Sequence, residues 1–166
     1  KHHTRFWENI MNYLDVLKVY LEDEGERISS SSCLKKNNGF IVEYTTTCRA
    51  GCGDFILQKA RDILLTINQN TFPKWPDLDF WLAILPKCFT SSFSSDGDDW
   101  TFENWLYWFE PENRFWFLWS VNAIDETHLK ISILVHEHPF PSEALEVLFM
   151  KLGTDELEEV NICSCK

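Results

Sequence analysis

The segment spanning residues 100–152 constrains the fold most, because it carries five of the eight tryptophans of this 166-residue chain. Residues 115–119 are an unbroken apolar run, which predicts a strand that is buried on both faces and lies in the interior of a sheet. Residues 129–135 alternate between apolar and polar side chains, which predicts a second strand with one wetter face. The short polar link at 125–128 joins the two strands as an antiparallel pair.

Helical spacing of apolar residues recurs through the rest of the chain and predicts four to five helices. They are expected at residues 5–24, ended by Gly25; at 55–68, capped by Asp54; at 78–85, capped by Asp77; near 102–109; and at 142–152, capped by Ser142 and ended by Gly153. The β-branched run at 40–47, after Asn38-Gly39, predicts a further strand, paired in a hairpin with a poorly defined partner that begins near Arg27. We therefore predict an α+β fold in which a small antiparallel sheet packs with these helices, in a single domain over residues 1–166.

Six cysteines allow several chemistries, and their spacing does not select one. The Cys48-x3-Cys52 and Cys163-x-Cys165 pairs differ from the Cys-x2-Cys spacing of zinc knuckles. A chain of this length does not need disulfides for stability, so free thiols are the favoured interpretation, with a disulfide or a zinc site as the alternatives.

The formal charge of −11 limits the classes of partner. Direct binding of nucleic acid requires clustered Lys and Arg, so we expect no nucleic-acid partner. A basic protein is the natural alternative, although net acidity also serves simply to keep an aromatic-rich protein soluble. No apolar run approaches the ~20 residues of a membrane helix, and no secretory signal is visible, so we expect no membrane association and a cytoplasmic location.

Motifs of catalysis are absent from the sequence, and we expect neither an enzyme nor a cofactor. The chain has no Gly-x-Ser-x-Gly elbow and no lysine-containing phosphate loop. His136 and His138 are two residues apart at the end of a strand, a spacing by which one strand offers two imidazoles to a metal ion. A metal-dependent enzyme built on this pair is therefore an alternative hypothesis, against the simpler interpretation of two solvent-facing side chains.

Unpaired carboxylates and aromatic residues are interleaved in the segment 96–112, which contains six Asp or Glu and no Lys or Arg. Aromatic anchors supply binding energy at protein interfaces, and uncompensated charge supplies association rate and selectivity. The alternative is that every aromatic side chain points into the core. We predict a partner-binding surface composed of Asp96, Asp98, Asp99, Trp100, Glu103, Trp105, Trp108, Glu110 and Glu112.

The block at 105–114, WLYWFEPENR, is followed by Trp116, Trp119 and the proline-flanked helix start at 139–145. With the length and acidity of the chain, this pattern resembles the immunity proteins of bacterial polymorphic toxin systems. The resemblance implies a cognate toxin that is bound and blocked by an acidic surface, and it transfers no individual residue role. An acidic regulator that mimics DNA is a further hypothesis.

Overall fold

The computed structural model describes residues 2–30, 39–94 and 100–164, and within them the chain has an α+β fold. Six α-helices, two short 3-10 helices and four strands follow one another along the chain. In order they are α1 (His2–Ser30), β1 (Phe40–Thr47), α2 (Gly53–Asn70), α3 (Leu78–Ile84), α4 (Lys87–Thr90), the 3-10 turn Ser91–Ser94, α5 (Phe102–Tyr107), the 3-10 turn Pro111–Asn113, β2 (Trp116–Ala123), β3 (His128–Val135), α6 (Glu143–Leu152) and β4 (Glu158–Ser164).

The four strands form one antiparallel sheet with the order β2-β3-β1-β4. The predicted α+β class and the antiparallel pairing of β2 with β3 are confirmed. The placement of β2 in the sheet interior is wrong, because β2 pairs only with β3 and lies at the edge among the described strands. Trp116, Phe117 and Leu118 are nevertheless all buried, because helices cover both faces of this edge strand.

Two apolar cores lie on the opposite faces of the sheet. The larger core packs the side chains of α2 and α6 against one face, where Trp116, Leu118 and Ile133 point. On the other face, Leu17 and Leu21 of α1 pack against Phe117 and Leu134, together with Ile41. Alternation along each strand sends successive side chains to opposite faces, which explains how Phe117 and its neighbours serve different cores.

Side chains from the helices cover the outer edge of β2. The backbone N–H of Leu118 donates to the Glu24 carboxylate at 2.6 Å, and the Leu118 carbonyl accepts from Nε of Arg27 at 3.0 Å. Farther along the strand, Nη2 of Arg61 donates to the Val121 carbonyl at 3.0 Å. An edge strand with free backbone groups is a template for unwanted pairing, and these contacts remove that template.

Helix α1 is longer than predicted, because it passes through Gly25 and ends at Ser30. Gly25 serves a close helix contact: a Cβ atom there would lie 3.1 Å from Oδ1 of Asn68 in α2. The segment 27–30, assigned to the first strand of a hairpin, is therefore helical, and the remainder of that predicted strand falls outside the described residues.

Elsewhere two of the predicted caps, Asp77 and Gly153, are confirmed, whereas Ser142 occupies the N-cap position of α6 without making a side-chain cap hydrogen bond. Asp77 caps α3 by accepting from the backbone N–H of Phe80 at 2.9 Å, and Gly153 ends α6 with a φ of 119°. Asp54 is not the N-cap of α2, because that helix begins one residue before it and Cys52 occupies the cap position. The short helix α4, which has Pro86 at its N-cap position, was not predicted.

Candidate partner-binding site

Helix α5 divides the predicted binding residues between the core and the surface. The Thr101 hydroxyl caps the helix by accepting from the backbone N–H of Asn104 at 3.1 Å. At 100° per residue, a six-residue helix that turns Phe102, Trp105 and Leu106 inward places Glu103 and Tyr107 on its outer side, as observed. Tyr107 is 49% exposed, so an aromatic ring stands beside an exposed carboxylate on the outer face of α5.

Trp105 belongs to the core, and its assignment to the partner surface is wrong. The indole has 0% exposure and its Nε1 donates to the backbone carbonyl of Ala144 at 2.9 Å, which fastens α5 to α6. Its ring centroid lies 4.9 Å from that of Phe89 and 4.5 Å from that of Phe109. Trp105 therefore lies on the buried face of α5 together with Phe102 and Leu106.

Trp100 and Trp108 are each partly exposed and frame an open groove of about 510 Å³. The ring of Trp108 is nearly perpendicular to that of Tyr107, at 85°, with centroids 5.4 Å apart. The groove is lined by three aromatic residues, three glutamates and one amide: Trp100, Tyr107, Trp108, Glu103, Glu110, Glu143 and Asn104. None of the lining residues in the described part of the chain is basic.

Among the described residues that line the groove, no basic side chain stands beside its carboxylates, and Glu110 shows the electrostatic result. Partial burial, and then the negative charge of Glu112, raise the pKa of Glu110 above its usual value. Burial and the Glu112 charge both disfavour the ionised form of Glu110, whereas a cation placed in the groove would favour that ionised form. The groove is therefore suited to a positively charged group.

The structure brings together four of the predicted site residues: Trp100, Glu103, Trp108 and Glu110. Glu112 is exposed outside the groove and acts on Glu110 through its charge. Asp96, Asp98 and Asp99 lie outside the described residues.

Three lining residues were not predicted: Asn104, Tyr107 and Glu143. Asn104 and Tyr107 can be recognised as lining residues because the cap at Thr101 fixes where α5 begins, and with it which residues of the helix face outward. Glu143 comes from α6, which is distant along the chain, and no local pattern indicates its approach to α5.

Helix α6 connects the groove to a second acidic segment at 155–159. Glu143 lines the groove, and both Glu143 and Glu156 raise the pKa of Glu146, after the larger effect of its burial. Glu156 and Glu159 belong to the second segment, and the charge of Glu159 also contributes to a Tyr44 pKa of about 12, where burial is the main cause. One carboxylate of the groove and one of the second acidic segment thus act on the same side chain, Glu146.

The histidine pair of the metal hypothesis is divided between two environments. The His136 ring stacks on Tyr20 with centroids 4.4 Å apart, whereas His138 pairs through Nε2 with Glu159 at 2.9 Å. Within residues 2–30, 39–94 and 100–164, no group of three or more His, Cys, Asp or Glu is arranged to hold a metal ion. Of the cysteines in these ranges, Cys48, Cys52, Cys88 and Cys163 are free thiols.

No protein-family model, characterised protein or solved structure matches this chain. Among the described residues, none of the helices combines the length and the apolar character that crossing a bilayer requires.

Proposed function

We propose that this chain is a non-enzymatic binding protein, an immunity protein that covers the active site of a basic bacterial toxin. The observation that carries the proposal is the groove lined by Glu103, Glu110 and Glu143 and by Trp100, Tyr107 and Trp108, where the described lining residues include no basic side chain. The −11 charge of the chain and the acidic segment beside α6 support the same partner chemistry.

An arginine side chain of the partner fits the groove best. A guanidinium stacks on aromatic faces and binds carboxylates through a planar fork of N–H donors, and this site offers both kinds of surface. Each such contact in a largely desolvated setting contributes more than an exposed ion pair, because exposed pairs contribute only about 0–1 kcal/mol. Trp108 and Trp100 provide the apolar walls that exclude water from the contact.

The proposed inhibition requires recognition and no bond chemistry. A toxin that acts on nucleic acid holds the phosphate backbone with Lys and Arg, so an acidic protein docked on those residues would occlude the substrate. Long-range attraction would speed the encounter by one or more orders of magnitude at low salt. Salt shortens the reach of this attraction to about 10 Å at 0.1 M, so the association rate should fall as salt is added.

Co-expression with the product of the neighbouring upstream gene, followed by co-purification and rate measurements, tests the proposal. The triple variant Glu103→Gln, Glu110→Gln, Glu143→Gln should slow association by about tenfold at low salt. Trp108→Ala should accelerate dissociation, with a loss of about 2 kcal/mol that is typical of an interface hot spot.

A matched triple variant on α1, Glu8→Gln, Asp15→Asn, Glu22→Gln, removes the same number of charges from exposed positions that do not line the groove. Both triples change the formal charge from −11 to −8, because each removes three carboxylates. The proposal predicts a clearly larger effect of the groove variant. Absence of any complex at low salt, or equal effects of the two triples, would contradict it.

A further inference from the structure

A second cavity, of about 390 Å³, lies on the α1 side of the sheet and is mostly apolar. Its walls come from three places: α1, the start of β2 and the proline-flanked segment that follows β3. The volume is that of a site for a small molecule, since such pockets measure about 300–1,000 Å³. Its described lining residues include five Phe or Tyr side chains: Tyr13, Tyr20, Phe115, Phe117 and Phe140.

These rings differ in how much surface they leave for a ligand. Tyr13 and Phe115 are each 41% exposed and form the mouth of the cavity. The Tyr13 hydroxyl donates to the Pro111 carbonyl at 2.9 Å, which holds that ring in place. Phe140 is also partly exposed, whereas Phe117 is buried. Contact with a ligand therefore falls mainly to Tyr13, Phe115 and Phe140.

Arg114 also lines the cavity, but its charge is already satisfied inside the protein. The residue is only 3% exposed, and its Nη2 pairs with the Glu24 carboxylate at 2.7 Å. Its guanidinium lies over the ring of Phe117, 5.2 Å from the ring centroid. The buried guanidinium therefore serves as part of the wall and leaves the mouth of the cavity to other groups.

Two carboxylates supply negative charge at this mouth. Glu137 is exposed and belongs to the cavity wall. Burial, and then the charge of Glu112, raise the pKa of Tyr13, and the opposing effect of Arg114 is smaller. The face of an aromatic ring also attracts a cation, because its π electrons make that face negative. Rings and carboxylates together therefore favour a positively charged ligand.

The apolar character of the wall indicates which kind of cation suits it. A primary ammonium carries three N–H donors that need acceptors, and Glu137 is the one carboxylate among the described lining residues. A quaternary ammonium carries no N–H donor, and its methyl groups pack against apolar surface. Binding of quaternary ammonium groups by clustered aromatic rings is an established use of this chemistry in proteins.

We propose that this cavity binds a small molecule that carries a quaternary ammonium group. The ammonium lies among the rings of Tyr13, Phe115 and Phe140, and Glu137 provides the counter-charge. This site is separate from the groove at α5 and shares no described lining residue with it.

Three probes of related shape test the proposal by NMR titration. Choline carries the trimethylammonium group, 3,3-dimethylbutan-1-ol replaces its nitrogen with carbon, and ethanolamine replaces its three methyl groups with hydrogen. We expect choline to shift the resonances of Val16 and Phe115 saturably. The uncharged alcohol should bind at least about fivefold more weakly, because it loses the attraction of the rings and of Glu137. Ethanolamine should also bind more weakly than choline, because its N–H donors lose water without gaining enough acceptors.

Matched variants separate an aromatic site from a merely apolar one. Phe115→Leu removes a ring from the mouth and keeps an apolar side chain, so it should weaken choline binding severalfold and change binding of the alcohol by less than about twofold. Phe55→Leu is the control, since Phe55 is 60% exposed and does not line the cavity. Both positions are exposed, so both variants should fold.

Val16→Trp locates the site, because Val16 lines the cavity and is 46% exposed, whereas Val19 is 52% exposed and does not line it. Val16→Trp should occlude the cavity and abolish choline binding, while Val19→Trp should leave it unchanged. Three results would each overturn the proposal: no choline binding, alcohol or ethanolamine binding as tight as that of choline, or a response to Phe115→Leu or Val16→Trp equal to that of its control.

Discussion

Replacement of Glu24 by alanine tests whether a buried ion pair holds α1 against the sheet. The Glu24 carboxylate is fully buried and accepts hydrogen bonds from three residues. The donors are the guanidinium of Arg114 just before β2, the backbone N–H of Leu118 in β2, and Nδ2 of Asn68 in α2, the last at 3.0 Å. The Arg114 side chain is equally buried, at 1% exposure. Removal of the carboxylate therefore leaves a buried cation without its counter-charge.

The expected loss follows from that uncompensated charge. Breaking a buried ion pair by removing one partner costs about 3–5 kcal/mol. The backbone N–H of Leu118, left without its acceptor, would alone cost about 1–3 kcal/mol. We expect water to enter the space left by Glu24 and to hydrate both this N–H and Arg114, so the cost of the N–H and the cost of the broken ion pair overlap rather than add. We predict a loss of about 4 kcal/mol in the free energy of unfolding, a large share of the 5–15 kcal/mol typical of a folded domain.

Urea unfolding, followed by tryptophan fluorescence, measures this loss, because Trp81, Trp105 and Trp116 are buried and report on the core. Glu22→Ala is the matched control, since Glu22 is exposed on the same helix and undergoes the same change in side chain. We expect the control to stay within about 0.5 kcal/mol of the parent protein.

A double-mutant cycle with Arg114→Met separates the ion pair from simple loss of packing. The double variant Glu24→Ala, Arg114→Met carries no buried charge at this place, so it should lose less stability than the sum of the two single variants, by about 1 kcal/mol or more. The reasoning is refuted if Glu24→Ala costs less than about 1 kcal/mol, or if the two single effects simply add.

Two further predictions concern α5 and the groove. Trp105→Ala should lower the free energy of unfolding by about 3–5 kcal/mol in chemical denaturation, and Tyr107→Ala by less than about 1 kcal/mol, because only the first ring is fully buried; equal losses would contradict the division of α5. Glu112→Gln should lower the pKa of Glu110 in a carboxyl NMR titration, since it removes one of the two causes that raise it. A raised carboxyl pKa means that ionisation of Glu110 opposes folding, so the parent protein loses stability as the pH rises through the titration of Glu110. This loss should be smaller in Glu112→Gln. An unchanged Glu110 pKa in that variant would contradict the effect assigned to the Glu112 charge.

The periodic parts of the fold were predictable from sequence. The apolar run at 115–119 placed β2, the alternation along 129–135 placed β3, and 3.6-residue spacing placed α2 and α6 to within two residues at each end. The extent of α1 was not predictable, because the glycine rule for helix ends takes no account of a tertiary contact. Gly25 accommodates Asn68 from α2, and that need outweighs the local tendency of glycine to end a helix.

The strand order was also outside the reach of local patterns. A strand that is apolar on both faces is typical of a sheet interior, yet β2 lies at an edge and is covered by α1 and α2. The apolar pattern of a strand indicates how many of its faces are buried. It does not indicate which elements cover those faces or where the strand lies in the sheet.

For the candidate site, sequence reasoning placed the interleaved aromatic and acidic residues in one region. It could not determine which of their side chains point into the core and which face the solvent. Trp105 and Trp108 are three residues apart, and small differences in helix phase decide which indole is buried. The ring contacts of Phe89 and Phe109 decide in favour of Trp105. Glu143 reaches the groove only because Trp105 ties α5 to the first turn of α6, a contact between distant parts of the chain.

The position of β1 in the sheet has a consequence for how the chain reaches its native state. β1 is synthesised early, but its two neighbours come late: Tyr44 pairs with Ile131 on one side, and Phe40 pairs with Ser164 on the other. Contacts between residues so far apart in sequence slow folding, because a long loop must close before any pairing stabilises it. During synthesis, β1 must therefore wait with both edges unpaired until β3 has emerged, and with one edge unpaired until β4 follows, and in that interval its free edges are open to aggregation.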